Sequence, residues 1–169
     1  LVQRRDALAL DHDLGHHREL DVVFRRAELR DFLVGARLLL AELVRRHADD
    51  AGKRQAVLSA TAELAGPVLL YTATRKDAER YAEELSSAGR STAAYHAGMT
   101  ARQRDAVHRR FRDDDVEIVA ATSAFGMGVD KPNVRAVVHA SIPGSLDGYY
   151  QQIGRGGRDG DPALALLFY

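Results

Sequence analysis

The chain has 169 residues, enough for one domain with a real core, and its 24 Lys plus Arg balance 24 Asp plus Glu. Net charge therefore announces no polyanion partner, and any nucleic-acid surface has to come from local clustering. The absence of cysteine excludes disulfides, thiol nucleophiles and thiolate metal sites and is consistent with a cytoplasmic location, and no apolar run approaches the ~20 residues of a membrane span.

Residues 1–65 differ in texture from the rest and read as an N-terminal arm or linker. Leu1 to Leu20 is charged and histidine-spotted without a clear period, which predicts irregular structure, and its charges rule out a signal-peptide core. From Leu33 to His47 the residues Leu33, Ala36, Leu40, Leu43 and Val44 follow helical spacing, which predicts one helix stopped by Asp49-Asp50-Ala51-Gly52. His12, His16, His17 and His47 lack carboxylate partners at ligand spacing, so they read as solvated and no metal site is expected.

From Gly66 short apolar runs and helical patterns alternate. Pro67 to Tyr71 is a continuous apolar run, as for a strand buried on both faces. Thr74 caps a helix that buries Ala78, Tyr81, Ala82 and Leu85 and closes at Gly89. Ser91 to Tyr95 is the next strand, followed by a helix capped by Thr100 with Gln103, buried through Ala106, Val107 and Phe111, and ended by Asp113-Asp114-Asp115. Strands follow at Val116 to Ala121 and Arg135 to Ala140. Ser145 then caps a helix with Leu146, Tyr149, Tyr150 and Ile153 on one face, and Ala163 to Tyr169 reads like an unfinished last strand. With no initial methionine, this ending leads us to expect a piece of something longer. The order of elements is α/β with a mainly parallel central sheet.

In such sheets sites gather on the loops at the carboxyl ends of strands. Those loops are Thr72 to Arg75, His96 to Thr100 and Thr122 to Asp130, with Arg155 to Arg158 following the last helix. Thr72-Ala73-Thr74-Arg75 joins hydroxyls, a helix start and an arginine, a combination that suits phosphate oxygens but equally serves as a plain N-cap. Thr122 to Asp130 offers hydroxyls, two glycines bracketing Met127, and a carboxylate, or else simply a turn with Phe125 and Met127 as core filler. His96 has no acid–base partner legible in sequence. Gln151-Gln152-Ile153-Gly154-Arg155-Gly156-Gly157-Arg158-Asp159-Gly160 sets two guanidinium groups among four glycines; it suits phosphate, and taken alone it equally suits a solvated surface turn.

Three ordered stretches, Tyr95 to Met99, Ala121 to Arg135 and Gly148 to Gly160, resemble the second motor lobe of RecQ-type DNA helicases. The resemblance covers about Gly66 to Tyr169 and implies a RecA-like three-layer fold for residues 66–169, as a helicase C-terminal lobe. Superfamily-2 RNA helicases share the final Gly-Arg-x-Gly-Arg, whereas Phe-Gly-Met-Gly and Tyr-Tyr-Gln-Gln favour the RecQ type. The resemblance further implies that Gln151, Arg155 and Arg158 act at the ATP phosphates, with Arg158 as arginine finger, and that Gly128 and Asp130 lie beside the nucleotide. Thr74, Arg75, His96, Gly98 and Thr122 would track a single DNA strand.

Two positions depart from the family's usual residues: Gly156 stands for alanine and Gln152 for glutamate. No G-x-x-x-x-G-K-[ST] phosphate loop and no Asp-Glu-x-His motif occurs, so the first lobe is missing from this sequence. Val57 to Thr61 and Arg26 to Leu29 only faintly resemble first-lobe and inter-lobe segments. The expected function is the second lobe of an ATP-dependent DNA helicase of repair or recombination, with ATP and Mg2+ held mainly by the first lobe, and inactive alone. A non-enzymatic nucleic-acid-binding or partner-binding remnant and an RNA helicase lobe stand as the alternatives.

Overall fold

Residues 40–126 and 130–169 are described by a computed structural model. They form β1 (Leu40–Arg45), α1 (Asp50–Glu63), β2 (Val68–Tyr71), α2 (Arg75–Ser87), β3 (Thr92–Tyr95), α3 (Ala101–Arg112), β4 (Ile118–Ala121), β5 (Ala136–His139), α4 (Leu146–Ile153) and β6 (Ala163–Phe168). All pairings are parallel, and the six strands lie in the order β1-β6-β5-β2-β4-β3.

The period of two along each strand divides the core into two layers. Leu69, Tyr71, Val119, Ala121, Val137 and Ala165 face one side, where they meet Val107 and Phe111 of α3 and Tyr149 and Ile153 of α4. Val68, Leu70, Ile118, Ala120, Val138 and Phe168 face the other, against Val57 of α1 and Tyr81 and Leu85 of α2. The result is helix, sheet, helix. The central strands β2, β4 and β5 are buried at every position, which is why they read as unbroken apolar runs rather than alternating ones.

The helix ends follow local chemistry. The Thr74 hydroxyl accepts from the Asp77 N–H at 3.0 Å, and Thr100 with Gln103 makes a reciprocal capping box. α2 stops where Gly89 takes φ 87° and the Arg90 N–H turns back to the Leu85 carbonyl at 3.0 Å, a closure that a side chain at position 89 would strain.

The N-terminal third corrects one expectation. The helix expected over Leu33 to His47 is a strand from Leu40 to Arg45, paired in register with β6 from Leu40↔Ala163 to Arg45↔Phe168. Six residues of strand and of helix both tolerate apolar spacing at Leu40, Leu43 and Val44, and the ladder offered by β6 decides between them. Asp49-Asp50-Ala51-Gly52 is likewise a start, not a stop: the Asp49 carboxylate accepts from the Gly52 N–H at 2.7 Å and caps α1. Through β1 and α1, residues 40–63 join the same sheet and core as the rest. Leu1 to Leu20, Arg26 to Leu29 and the first part of the expected helix, Leu33 to Leu39, lie outside the described residues.

One feature of the topology positions the site. β2 lies between β4 and β5, so the chain leaving β4 must pass β2 to enter β5. That crossing brings the Phe125 carbonyl onto the hydroxyl of Tyr71, the last residue of β2.

Candidate functional site

Two groups of expected residues come together on the structure, joined by the segment that leaves β4. The first group lies after β2 and β3. Gly98 packs so closely under Arg75 that a Cβ there would sit 2.9 Å from Arg75 Nη1 and 3.2 Å from His96 Nδ1. His96 is buried; its Nε2 pairs with Glu79 Oε1 at 3.0 Å, and its Nδ1 has no partner. The Thr74 hydroxyl, besides capping α2, donates to Asp77 Oδ2 at 2.6 Å. Thr122 is tied to this group through its N–H, which donates to the Tyr95 carbonyl at 3.2 Å. Arg75 is exposed and Thr122 half-buried.

The second group is built around Arg155. Its guanidinium lies against Gly126, where a Cβ would meet Nη2 at 3.0 Å and Cζ at 3.7 Å, and its charge acts on the neighbouring Tyr71 hydroxyl. Tyr71 in turn donates to the Phe125 carbonyl at 2.9 Å. Burial pushes the Tyr71 phenol up to about 12 against the pull of Arg155 and Arg158, so it stays a neutral donor. Arg155 is half-buried, and its Nε is enclosed without a partner.

Arg158 behaves differently. It is exposed, its Nε donates to the Gly154 carbonyl at 3.1 Å, and its terminal nitrogens meet no acceptor among the described residues. Gln151 and Asp130 are exposed, and Gly128 lies outside the described residues.

The backbone of the arginine turn is not held where the loop pattern placed it. The Gly157 N–H donates to the Val134 carbonyl at 2.9 Å and the Asp159 N–H to Pro132 at 3.3 Å, both on the segment entering β5. Asp159 also pairs with Arg135. The turn is thus anchored beside the amino end of β5, and the Arg155 side chain reaches the loop leaving β4. The reason is direction: α4 runs back against the parallel strands and carries its C-terminus toward their starts. Gly157 takes φ 63° to make the bend.

Between the two groups lies Phe125, fully buried, with its ring 4.7 Å from Tyr95, 4.9 Å from His108 and 5.9 Å from Phe111. His108 Nε2 also lies 3.1 Å from the Tyr95 hydroxyl, and burial lowers its pKa. Opposite Tyr71, His139 ends β5 with Nε2 donating to Gln152 Oε1 at 2.7 Å. Burial drives the His139 imidazole down to about 4, so it is neutral near pH 7. Sequence reasoning passed over Tyr71 and His139. The available signals were a tyrosine closing an apolar run and a histidine closing a Val-Val strand, neither of which names a partner.

Chemically, the second group offers one presented and one clamped guanidinium, with glycine backbone around them, a donor set that fits phosphate oxygens. Among the described residues no cluster of three His, Asp or Glu side chains is arranged for a metal ion.

Residues 52–160 match the helicase conserved C-terminal domain family, more than half of the chain. The ATP-dependent DNA helicase RecQ of Pasteurella multocida (strain Pm70) is 52% identical over 101 residues, 60% of this chain and 16% of that protein. The RecQ-like DNA helicase BLM of Xenopus laevis is 47% identical over 102 residues, 60% of this chain and 8% of that protein. The chain thus spans a small part of the curated relatives it matches. Among solved structures, the yeast DEAD-box splicing factor Prp28 aligns with a TM-score of 0.71 at 26% identity, over 78% of this chain and 29% of that one. The C-terminal domain of the DEAD-box protein Dbp5 aligns with a TM-score of 0.69 at 24% identity, over 78% and 77%. The three-layer parallel fold is accordingly the RecA-like fold of helicase C-terminal domains.

Proposed function

Because this chain belongs to the helicase conserved C-terminal domain family, and within it to the RecQ type, we propose that it works as the second motor lobe of an ATP-dependent DNA helicase of repair or recombination, in the cytoplasm. The observation that carries the reading is the division of labour between the two arginines: Arg155 is turned inward onto Tyr71 and Gly126, while Arg158 presents its terminal nitrogens outward.

In this reading Arg158 is the arginine finger. ATP with Mg2+, held mainly by the first RecA-like lobe, supplies the phosphoryl group. As charge grows on that group's oxygens, a preplaced guanidinium stabilises the transition state more than the ground state. Arg155 and Gln151 fix the turn and complete the phosphate contacts, and Gly128 and Asp130 border the nucleotide. Thr74, Arg75, His96, Gly98 and Thr122 hold a single DNA strand or the arm of a fork by its phosphates. Closing and opening of the two lobes moves this grip along the strand.

The test is made in the intact parent protein. Arg158→Ala is expected to lower DNA-stimulated ATP turnover by about 10³-fold or more while single-strand affinity stays within roughly threefold. Undiminished turnover would remove the finger assignment. The purified 169-residue chain alone is expected to hydrolyse no ATP, because its sequence has no phosphate loop to hold the β- and γ-phosphates; measurable hydrolysis refutes this. Preference for RNA over DNA of equal length would favour an RNA helicase lobe, and an intact parent without nucleotide turnover a binding remnant.

A further inference from the structure

Tyr71 and His139 are register partners at the ends of β2 and β5, with rings stacked 5.3 Å apart at 21°. Each meets the same helix and turn: His139 bonds Gln152 at 2.7 Å, and the Tyr71 hydroxyl faces the charge of Arg155. The Tyr71 hydroxyl is itself oriented, because its proton is committed to the Phe125 carbonyl at 2.9 Å, leaving the oxygen's lone pairs toward the guanidinium. On the other side Gly126 forms a wall that a Cβ would push into. Arg155 Nε has no partner, and its Nη2 is the atom packed against Gly126.

Resting on the reading of this lobe as half of an ATP site, we propose that Tyr71 is a positioning residue for Arg155: its hydroxyl, held by the Phe125 carbonyl, keeps the guanidinium against Gly126 and so sets where the arginine turn presents charge to a phosphate. Tyr71 acts through Arg155. The apolar part of its ring serves the core, as phenylalanine would, and the hydroxyl is the part that serves the site. Because the phenol remains protonated up to about 12, the clamp is present over the whole working pH range.

The variant that isolates the hydroxyl is Tyr71→Phe, which keeps the ring, its burial and its stack on His139. In the 169-residue chain, the Arg155 Nε–H resonance, assigned by its loss in Arg155→Lys, is expected to shift and to exchange with solvent about tenfold faster once the clamp is gone. In the intact parent, DNA-stimulated kcat is expected to fall by roughly 10- to 100-fold, since an ångström of misplacement of a charged group costs on that order. KM for ATP and affinity for single-stranded DNA should stay within about threefold, a split that general loss of structure would not produce. An unchanged Arg155 resonance overturns the contact. A released Arg155 with unchanged kcat overturns the positioning role. Should Tyr71→Phe fail to fold, Gly126→Ala crowds Arg155 Nη2 from the opposite side with Tyr71 intact and carries the same expectation; unchanged kcat there overturns the proposal. A parent without any DNA-stimulated turnover fails the helicase reading, and the resonance of Arg155 still decides the contact with Tyr71.

Discussion

The Tyr71 ring stacks on the His139 ring across neighbouring strands, and through their polar tips the two residues hold Arg155 and Gln152, three positions apart on the chain. The pair turns the ends of β2 and β5 into one platform for the last helix and its arginine turn. Both side chains are almost wholly enclosed and both are neutral, so the platform carries no charge that would compete with a phosphate for the arginines.

Acid should loosen this platform through His139. Its folded pKa of about 4 lies below the unfolded value of 6.5, so between these values the unfolded chain binds the proton more readily. Stability from this group is therefore complete above pH 6.5 and is lost as pH falls through 4, by on the order of 3 kcal/mol in all. The groups packed on the ring, Tyr71, Tyr149 and Gln152, bear no charge in that window. His47 and His108, also lowered, act in the same direction, so the measurement is the difference between the wild type and His139→Gln in urea midpoint against pH. Parallel curves would contradict the assignment.

Gln152→Glu should move His139 the other way. A carboxylate placed 2.7 Å from Nε2 favours the protonated ring, and the His139 pKa is expected to rise well above 4. Titration of the His139 ring proton by NMR checks this. An unmoved midpoint would mean that the two side chains part when the charge is introduced.

Lys131 gives a sharper stability test than any surface pair. It is 4% exposed, with Nζ 2.7 Å from Asp114 Oδ1 and 3.3 Å from the Arg112 carbonyl, over the Phe111 ring. Asp114→Asn keeps a residue type tolerant of the φ of 63° at that position but removes the counter-charge. A loss on the order of 1–3 kcal/mol is expected, because the ammonium stays enclosed. Asp113→Asn, which breaks the exposed Arg112 pair, should change stability by less than about 0.5 kcal/mol. Chemical denaturation of the two variants decides the order.

If the loops after β2 and β3 bind a DNA strand as proposed, Arg75→Ala should weaken single-stranded DNA binding regardless of sequence and reduce the slope of log K against log salt by about 0.7, the value of one released counterion. Gly98→Ala is expected to act in the same direction, since the added Cβ would sit 2.9 Å from Arg75 Nη1 and displace it. An unchanged slope in Arg75→Ala would take that residue off the track.

The elements from β2 onward were legible in sequence because each reports its own environment. A parallel strand covered on both faces must be apolar throughout, as Val68 to Tyr71 is, and a helix start must satisfy free N–H groups, as Thr74, Thr100 and Ser145 do. The glycine and arginine types around Arg155 and Arg158 suit phosphate and, taken alone, equally suit a solvated turn. What tertiary structure alone decided was every relation between distant residues. Leu40 to Arg45 became a strand because β6, at the far end of the chain, offered a ladder. The arginine turn settled beside the entry to β5 because Val134 and Pro132 accept its N–H groups. Tyr71 met Arg155 because the strand order sends the chain across the end of β2 between β4 and β5. Composition and period record what a residue needs from its surroundings, whereas the partner that supplies it is chosen by the packing of the whole sheet.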